Sequence, residues 1–132
     1  MILDNETELA WAAGFFDGEG HISAKSNRQG PWLQLKLTIG QTDRQVLDRF
    51  QKAVGLGRVY GPYPTLKPEW NPIYEYSVQS KGDVEVVVQL LLPYLSPVKK
   101  EQCLGAFQKY ADHYSMFEHK TWKSRESGIL GR

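Results

Sequence analysis

The run Trp11-Ala12-Ala13-Gly14-Phe15-Phe16-Asp17-Gly18-Glu19-Gly20 constrains this chain more than any other stretch, because it reads as a helix that ends on two carboxylates. Asn5 followed three residues later by Glu8 has capping-box spacing, and Glu6 and Glu8 put negative charge in a first turn that favours it. The helix therefore begins near Asn5. Leu9, Ala12, Ala13 and Phe16 supply its apolar and small positions, while Ala10, Ala13 and Gly14 form a nearly bare strip at i, i+3, i+4 spacing that lets another backbone come close. Gly18 and Gly20 tolerate the conformations that end helices, so the helix stops at about Asp17 or Gly18. Asp17 and Glu19 then sit at the negative end of the helix dipole, which costs about 0.3–1 kcal/mol each. A bound cation reverses that sign; the plainer reading is a pair of solvated turn residues. An EF-hand is excluded, since counting from Asp17 puts Ile22 where glycine is required and Arg28 where the bidentate glutamate belongs.

The 132 residues suffice for one domain, read as 1–118 with a C-terminal tail over 119–132 that carries Lys123, Arg125 and Arg132. No stretch approaches the roughly 18 apolar residues a membrane span needs, so no membrane is expected as a partner. The opening MILDNETELA is acidic and has neither a basic n-region nor an apolar h-region, so it does not read as a signal peptide. Cys103 stands alone, which excludes an internal disulfide and a cysteine zinc site and fits a reducing compartment. A soluble intracellular protein is expected, of a bacterial or phage-infected cytoplasm or of an organelle. His21, His113 and His119 are not at metal-ligand spacing.

A net charge of +1 hides a division along the chain. The first nineteen residues hold five acids and no base, whereas Gly20 to Lys67 holds eight basic residues against Asp43 and Asp48. Within that basic stretch His21 to Asn27 alternates as a strand, Ile22 and Ala24 on one face and Ser23, Lys25 and Asn27 on the other. Arg28-Gln29-Gly30-Pro31 turns the chain into a second strand with Leu33, Leu35, Leu37 and Ile39 inward and Gln34, Lys36, Thr38 and Gly40 outward. A helix over about Asp43 to Val54 is stopped by Gly55-Leu56-Gly57, and Arg58-Val59-Tyr60 begins a third strand. Pro62, Pro64, Pro68 and Pro72 mark a loop around Trp70, and Tyr74, Tyr76 and Val78 alternate with Glu75, Ser77 and Gln79 as a fourth strand. Asp83 reads as the cap of a helix from Val84 to Leu92, and Pro97 as the first turn of one from Val98 to about Tyr114.

These elements make an α+β fold, αββαββα(α), with a four-stranded antiparallel sheet and helices on one face. The opposite face carries Ser23, Lys25, Asn27, Gln34, Lys36, Thr38, Arg58, Tyr60 and Ser77, with Arg28 of the turn as a further candidate DNA contact. A solvated face usually mixes signs, but no acid stands between Gly20 and Thr42. Hydrogen-bonding side chains among bases suit duplex nucleic acid, with charges on phosphates and amides and hydroxyls on base edges.

The nine residues Ala12 to Gly20 resemble the signature of the LAGLIDADG homing endonucleases, reading small, small, Gly, apolar, apolar, acid, small, acid, Gly. Ala12 stands for the signature's first leucine and Glu19 for its final aspartate. The αββαββ order is also that of one domain of the family, so the resemblance covers nearly the whole chain. It implies a site-specific double-strand DNA endonuclease acting with Mg²⁺, for which Ca²⁺ or Mn²⁺ substitutes in crystals, on a pseudo-palindromic target, with a role in intron mobility. With one motif in the chain, it implies a homodimer packed through the motif helices at Ala10, Ala13, Gly14 and Asp17, with the sheets forming a saddle on the DNA.

The resemblance also implies roles for individual residues. Glu19 is the metal-bearing carboxylate, with the Gly18 carbonyl beside it. Gln41 matches a polar residue that positions the attacking water, and Lys99, in Lys99-Lys100-Glu101-Gln102, matches a basic residue that stabilises charge. Asp17 holds the turn, and Arg44 is an auxiliary phosphate contact. Two alternatives stay open on sequence alone. One is a non-cleaving module of the same fold, such as an RNA intron maturase or a transcription factor; the other, a sheet protein without nucleic acid, is disfavoured by the divided charge.

Overall fold

The chain folds in the order α1 (Asn5–Glu19), β1 (Gly20–Ser26), β2 (Leu33–Gln41), α2 (Arg44–Val54), β3 (Arg58–Tyr63), β4 (Ile73–Val78), α3 (Lys81–Leu91), a 3-10 turn (Leu92–Tyr94) and α4 (Pro97–Ile129). This computed structural model describes residues 5–26 and 32–129, and of residues 116–129 the helical backbone alone. The expected turn at 28–31, with Asn27 and Arg28, lies outside the described residues. The strands form one antiparallel sheet in the order β1-β2-β4-β3, as the alternating patterns require. Among the described residues no helix is long and apolar enough to cross a membrane.

The inward positions of the strands and the apolar sides of all four helices meet in a single core. Leu35, Leu37 and Ile39 of β2 and Tyr76 and Val78 of β4 pack with Ala12, Ala13 and Phe16 of α1, Leu47 and Phe50 of α2, Val84, Val87 and Leu91 of α3, and Cys103 of α4. Removing each large apolar side chain from water contributes about 1.5–3 kcal/mol. At the centre the Phe50 and Tyr76 rings meet edge to face, with centroids 4.8 Å apart. The Tyr76 hydroxyl donates to the Leu56 carbonyl at 2.8 Å, which satisfies the one polar atom of a wholly buried side chain. Burial pushes its phenol pKa well above the usual range. Gly57 passes directly over this ring at φ +89°, where a Cβ would lie 2.6 Å from it, so only glycine fits. At the far side Tyr114 donates to the Leu33 carbonyl and stacks on Trp32, holding α4 across the start of β2.

Several local expectations are corrected. Glu8 does not close a capping box with Asn5; it takes both Nε and Nη2 of Arg49, at 3.0 and 2.8 Å, while the guanidinium lies 3.8 Å over the Trp11 ring. Helix α3 is capped by Ser80 rather than Asp83, because the Ser80 hydroxyl accepts from the Asp83 backbone N–H at 3.2 Å. Pro62 belongs to β3 rather than to the loop, an edge strand whose register shifts between Tyr60 and Tyr63 and so needs no N–H there. Helix α4 continues to Ile129, beyond Tyr114. The cap of α2 is as read, with Asp43 accepting from the Gln45 N–H and Gly55 left-handed at the other end.

The Arg49 hydrogen bonds hold the Glu8 carboxyl below the usual carboxylate range. A carboxyl depressed in the folded state stabilises above its unfolded pKa and loses that contribution as pH falls through its folded value. Wild type should therefore exceed Glu8→Gln in urea stability at neutral pH, with the gap closing as pH drops below about 4. Equal stability of the two at neutral pH would assign the role of Arg49 to its stacking on Trp11 instead.

Candidate active site and nucleic-acid interface

The last turn of α1 and the end of β2 converge. Because β1 starts at Gly20 immediately after α1 and runs antiparallel to β2, the Gly20↔Ile39 pair sets Glu19 beside Gln41. There Gln41 Nε2 donates to Glu19 Oε1 at 2.6 Å, and the Glu19 carboxylate is otherwise exposed. Gly18 is also exposed, with open space where a Cβ would stand. Gly20 differs, since a Cβ there would collide with the Phe16 ring; the chain turns from helix to strand only because this residue has none.

A second pair of contacts fixes the backbone on either side of Glu19. Asp17 Oδ1 accepts from both the N–H and the hydroxyl of Ser96, at 3.1 and 2.9 Å. Ser96 is the cap of α4: its hydroxyl accepts from the Lys99 N–H, and Pro97 follows in the first turn. That helix brings Lys99 Nζ to the Gly20 carbonyl at 3.0 Å, 5.3 Å from the centroid of Phe16, with only 8% of the residue exposed. Nearby Cys103 has its thiol pKa pushed up to about 11, chiefly by burial, with Lys99 opposing and Asp17 adding to the shift. Cys103 is thus the small buried residue its isolation suggested.

The structure brings Glu19, Gln41 and Lys99 to one end of the sheet, with Asp17 as their anchor. Asp17 is half-buried and bonds Ser96 through Oδ1, and Ala13 is fully buried in the chain's own core. The exposed small residues of α1 are Ala10, Gly14 and Gly18, spaced four apart, with nothing within 4 Å of a Cβ at either glycine.

On the sheet, cross-strand partners share a face. Lys25 pairs with Gln34, Ser23 with Lys36, and His21 with Thr38, whose other neighbour Ser77 pairs with Arg58. Tyr60 lies in the next row toward Gln41, opposite Glu75. Ser77, expected on this face, and Arg44, expected as an auxiliary phosphate contact, are each engaged within the chain. Ser77 is only 4% exposed, with Gln79 Nε2 donating to its hydroxyl and Gln34 reaching Gln79 in turn. Arg44 sits off the sheet on α2, bridged to Asp48 at 3.5 Å and over the Tyr74 ring. Gln79, Glu75 and Ser96 went unnoticed as site residues, although alternation with Tyr76 places Glu75 outward and Ser-Pro is a helix-start signature. A cleft of about 600 Å³ lies elsewhere, lined by Asn5, Glu8, Asp48 and Arg49 at the opposite end of α1.

A helix ending in carboxylates against a four-stranded antiparallel sheet, one face packed and the other basic, defines a class. The chain belongs to the LAGLIDADG endonuclease family, whose model matches residues 12–111. It is 28% identical over 130 residues to an intron-encoded DNA endonuclease, ai2b, of Dictyostelium discoideum, covering 91% of this chain and 48% of that protein. The chain thus spans about half the length of the curated relative it matches. The homing endonuclease I-CvuI, crystallised with its target in 2 mM Ca, superposes with a TM-score of 0.61 at 27% identity, over 75% of this chain and 62% of its own. The group I intron-encoded homing endonuclease I-CeuI, complexed with DNA, shares the fold with a TM-score of 0.66 at 17% identity, over 98% of this chain and 66% of its own.

If Asp17 anchors α4, Asp17→Ala should lose two hydrogen bonds to a charged acceptor and about 2–3 kcal/mol of stability. The exposed Glu19→Gln should change stability by less than about 0.5 kcal/mol. Urea denaturation of both variants checks this, and equal midpoints for Asp17→Ala and wild type would remove the anchor.

Proposed function

We propose that this chain is a Mg²⁺-dependent DNA endonuclease that cuts both strands of a near-palindromic duplex as a homodimer. The observation that carries the reading is the exposed Glu19 carboxylate at the C-terminal end of α1, held by Gln41 and set at the edge of a face bearing Lys25, Lys36 and Arg58. Phosphodiester hydrolysis needs positive charge on the developing phosphorane and an activated water.

The donor chemistry fits Mg²⁺. Among the described residues no three His, Cys, Asp or Glu gather as a metal cage; Glu19 and the Gly18 carbonyl would be the protein's share. Mg²⁺ keeps several waters and is commonly held by one or two carboxylates together with substrate phosphates. When bound, it supplies Lewis acidity and a more acidic water. Solved relatives crystallised with DNA in Ca or in Mg support divalent metal use. Gln41 holds one Glu19 oxygen and leaves the other open, in position to orient a water. Lys99 fixes Gly20 and brings a buried positive charge next to the reacting end. Lys25, Lys36 and Arg58 make no hydrogen bond or ion pair among the described residues, which leaves them for phosphates.

Two copies are required because one chain offers one such carboxylate for two strands. Ala10, Gly14 and Gly18 would let the α1 helices approach closely across a dyad. A Cβ at the exposed Gly14 has nothing within 4 Å, and Gly14→Leu raises helix propensity, so the monomer should be at least as stable as wild type. In sedimentation it should run as a monomer with weakened DNA binding; a variant that stays dimeric places the interface elsewhere.

Glu19→Gln should retain DNA binding and lose strand cleavage by several orders of magnitude, and removal of Mg²⁺ by chelation should do the same to wild type. Glu6→Gln, at the other end of α1, should cut like wild type. The measurement is nicking of a selected duplex, and wild-type turnover by Glu19→Gln would sink the proposed function.

A further inference from the structure

One side chain on the basic face has the opposite sign. Glu75 pairs with Gly40 on one side and Tyr60 on the other, while its neighbours Tyr74 and Tyr76 turn toward the helices. Its carboxylate therefore shares the face of Lys25, Lys36, Thr38 and Arg58. Among the described residues it makes no hydrogen bond or ion pair, although Arg58 lies one row away. The place beside it is open, because Gly40 has no side chain and a Cβ there would touch only Ile73, at 3.9 Å.

A carboxylate against a duplex is repelled by every phosphate, so it is tolerated only where a base edge donates to it. In the major groove cytosine presents its N4 amino group. Adenine sets an acceptor, N7, beside its amino group; guanine shows O6 and N7, and thymine O4 and a methyl. An acceptor-only side chain matches cytosine best, and an amide, which also donates, matches adenine.

The register gives the position. Gly40, Glu75 and Tyr60 form the row next to Gln41, which bonds Glu19. The rows of Thr38, Lys36 and Gln34 follow outward at two-residue steps, about 6.8 Å or roughly two base pairs each. We propose that Glu75 reads a cytosine at the innermost base pair contacted by the sheet in each half-site, next to the cleavage centre. This rests on the reading that the sheet lies on duplex DNA.

The test is selection of bound duplexes from a library randomised across both half-sites, in Ca²⁺, by wild type, Glu75→Gln and Lys36→Ala. Wild type should enrich a cytosine at the innermost selected position of each half-site. Glu75→Gln should replace that preference with adenine by roughly tenfold or more and leave the outer positions unchanged. Lys36→Ala should weaken binding and retain the cytosine. An unchanged innermost base for Glu75→Gln, or a uniform rise in its affinity for all duplexes, overturns the assignment of Glu75 while leaving DNA recognition by the sheet standing. A wild-type pool without any enriched sequence overturns both.

Discussion

The site depends on one half-buried carboxylate that bonds within the chain. Asp17 takes two hydrogen bonds from Ser96 and so ties the C-terminal turn of α1 to the first turn of α4, helices separated by most of the chain. The tie resolves the electrostatic problem posed by an acid at the negative end of a helix dipole: Asp17 faces the N-terminal, positive end of α4. From that fixed start Lys99 reaches Gly20, so residues 17 and 20 are both clamped and Glu19 between them has little freedom in its backbone. Gly20 must also admit Phe16 against its Cα. The exposed carboxylate is thus set by part-buried contacts, an arrangement that would suit the reacting role proposed for it, where displacements of about 1 Å are costly.

The two faces of the sheet divide the labour. Leu35, Leu37 and Ile39 commit one face to the helices, and the two-residue period then forces Gln34, Lys36 and Thr38 to the other. On that second face Gln34, Lys36 and Thr38 are half-buried, and its cations are unpaired among the described residues, unlike Arg49, which Glu8 and Trp11 hold on the helical side. Such a surface keeps its charge available for a polyanion. Register makes it an ordered ladder rather than a patch, with each row at a defined distance from Glu19.

Much of this was legible in the sequence because it is local. Strand alternation, the Asp43 cap, the Gly55 stop and the acid-ended helix are set by neighbours within a few residues, and Glu19, Gln41 and Lys99 became site candidates through the family resemblance. What escaped is long-range. Ala13 looks like part of a bare helix strip, but which side of α1 meets the core depends on α2 and α3. Glu8 has the spacing of a cap, yet a guanidinium offering two hydrogen bonds from α2 outcompetes a backbone N–H. Ser77 reads as a surface hydroxyl until Gln79 and Gln34 fold across it.

The helix end also bears on the proposal that two chains act together. Glu19 gains nothing from the dipole of its own helix and no cation from the described residues; Gln41 offers only a neutral donor. Lys99, brought to Gly20 by the first turn of α4, is occupied by a carbonyl. Beyond the Gln41 bond the exposed carboxylate meets only solvent, and under the proposed function a hard cation would supply the positive charge it lacks. The small residues on the same helix point to where a second such end would approach, since Ala10, Gly14 and Gly18 continue directly into the Glu19 turn. Close packing along them would bring two uncompensated carboxylates together, which is unfavourable without metal and favourable with it. On this reading, assembly, metal and substrate each supply what the others lack.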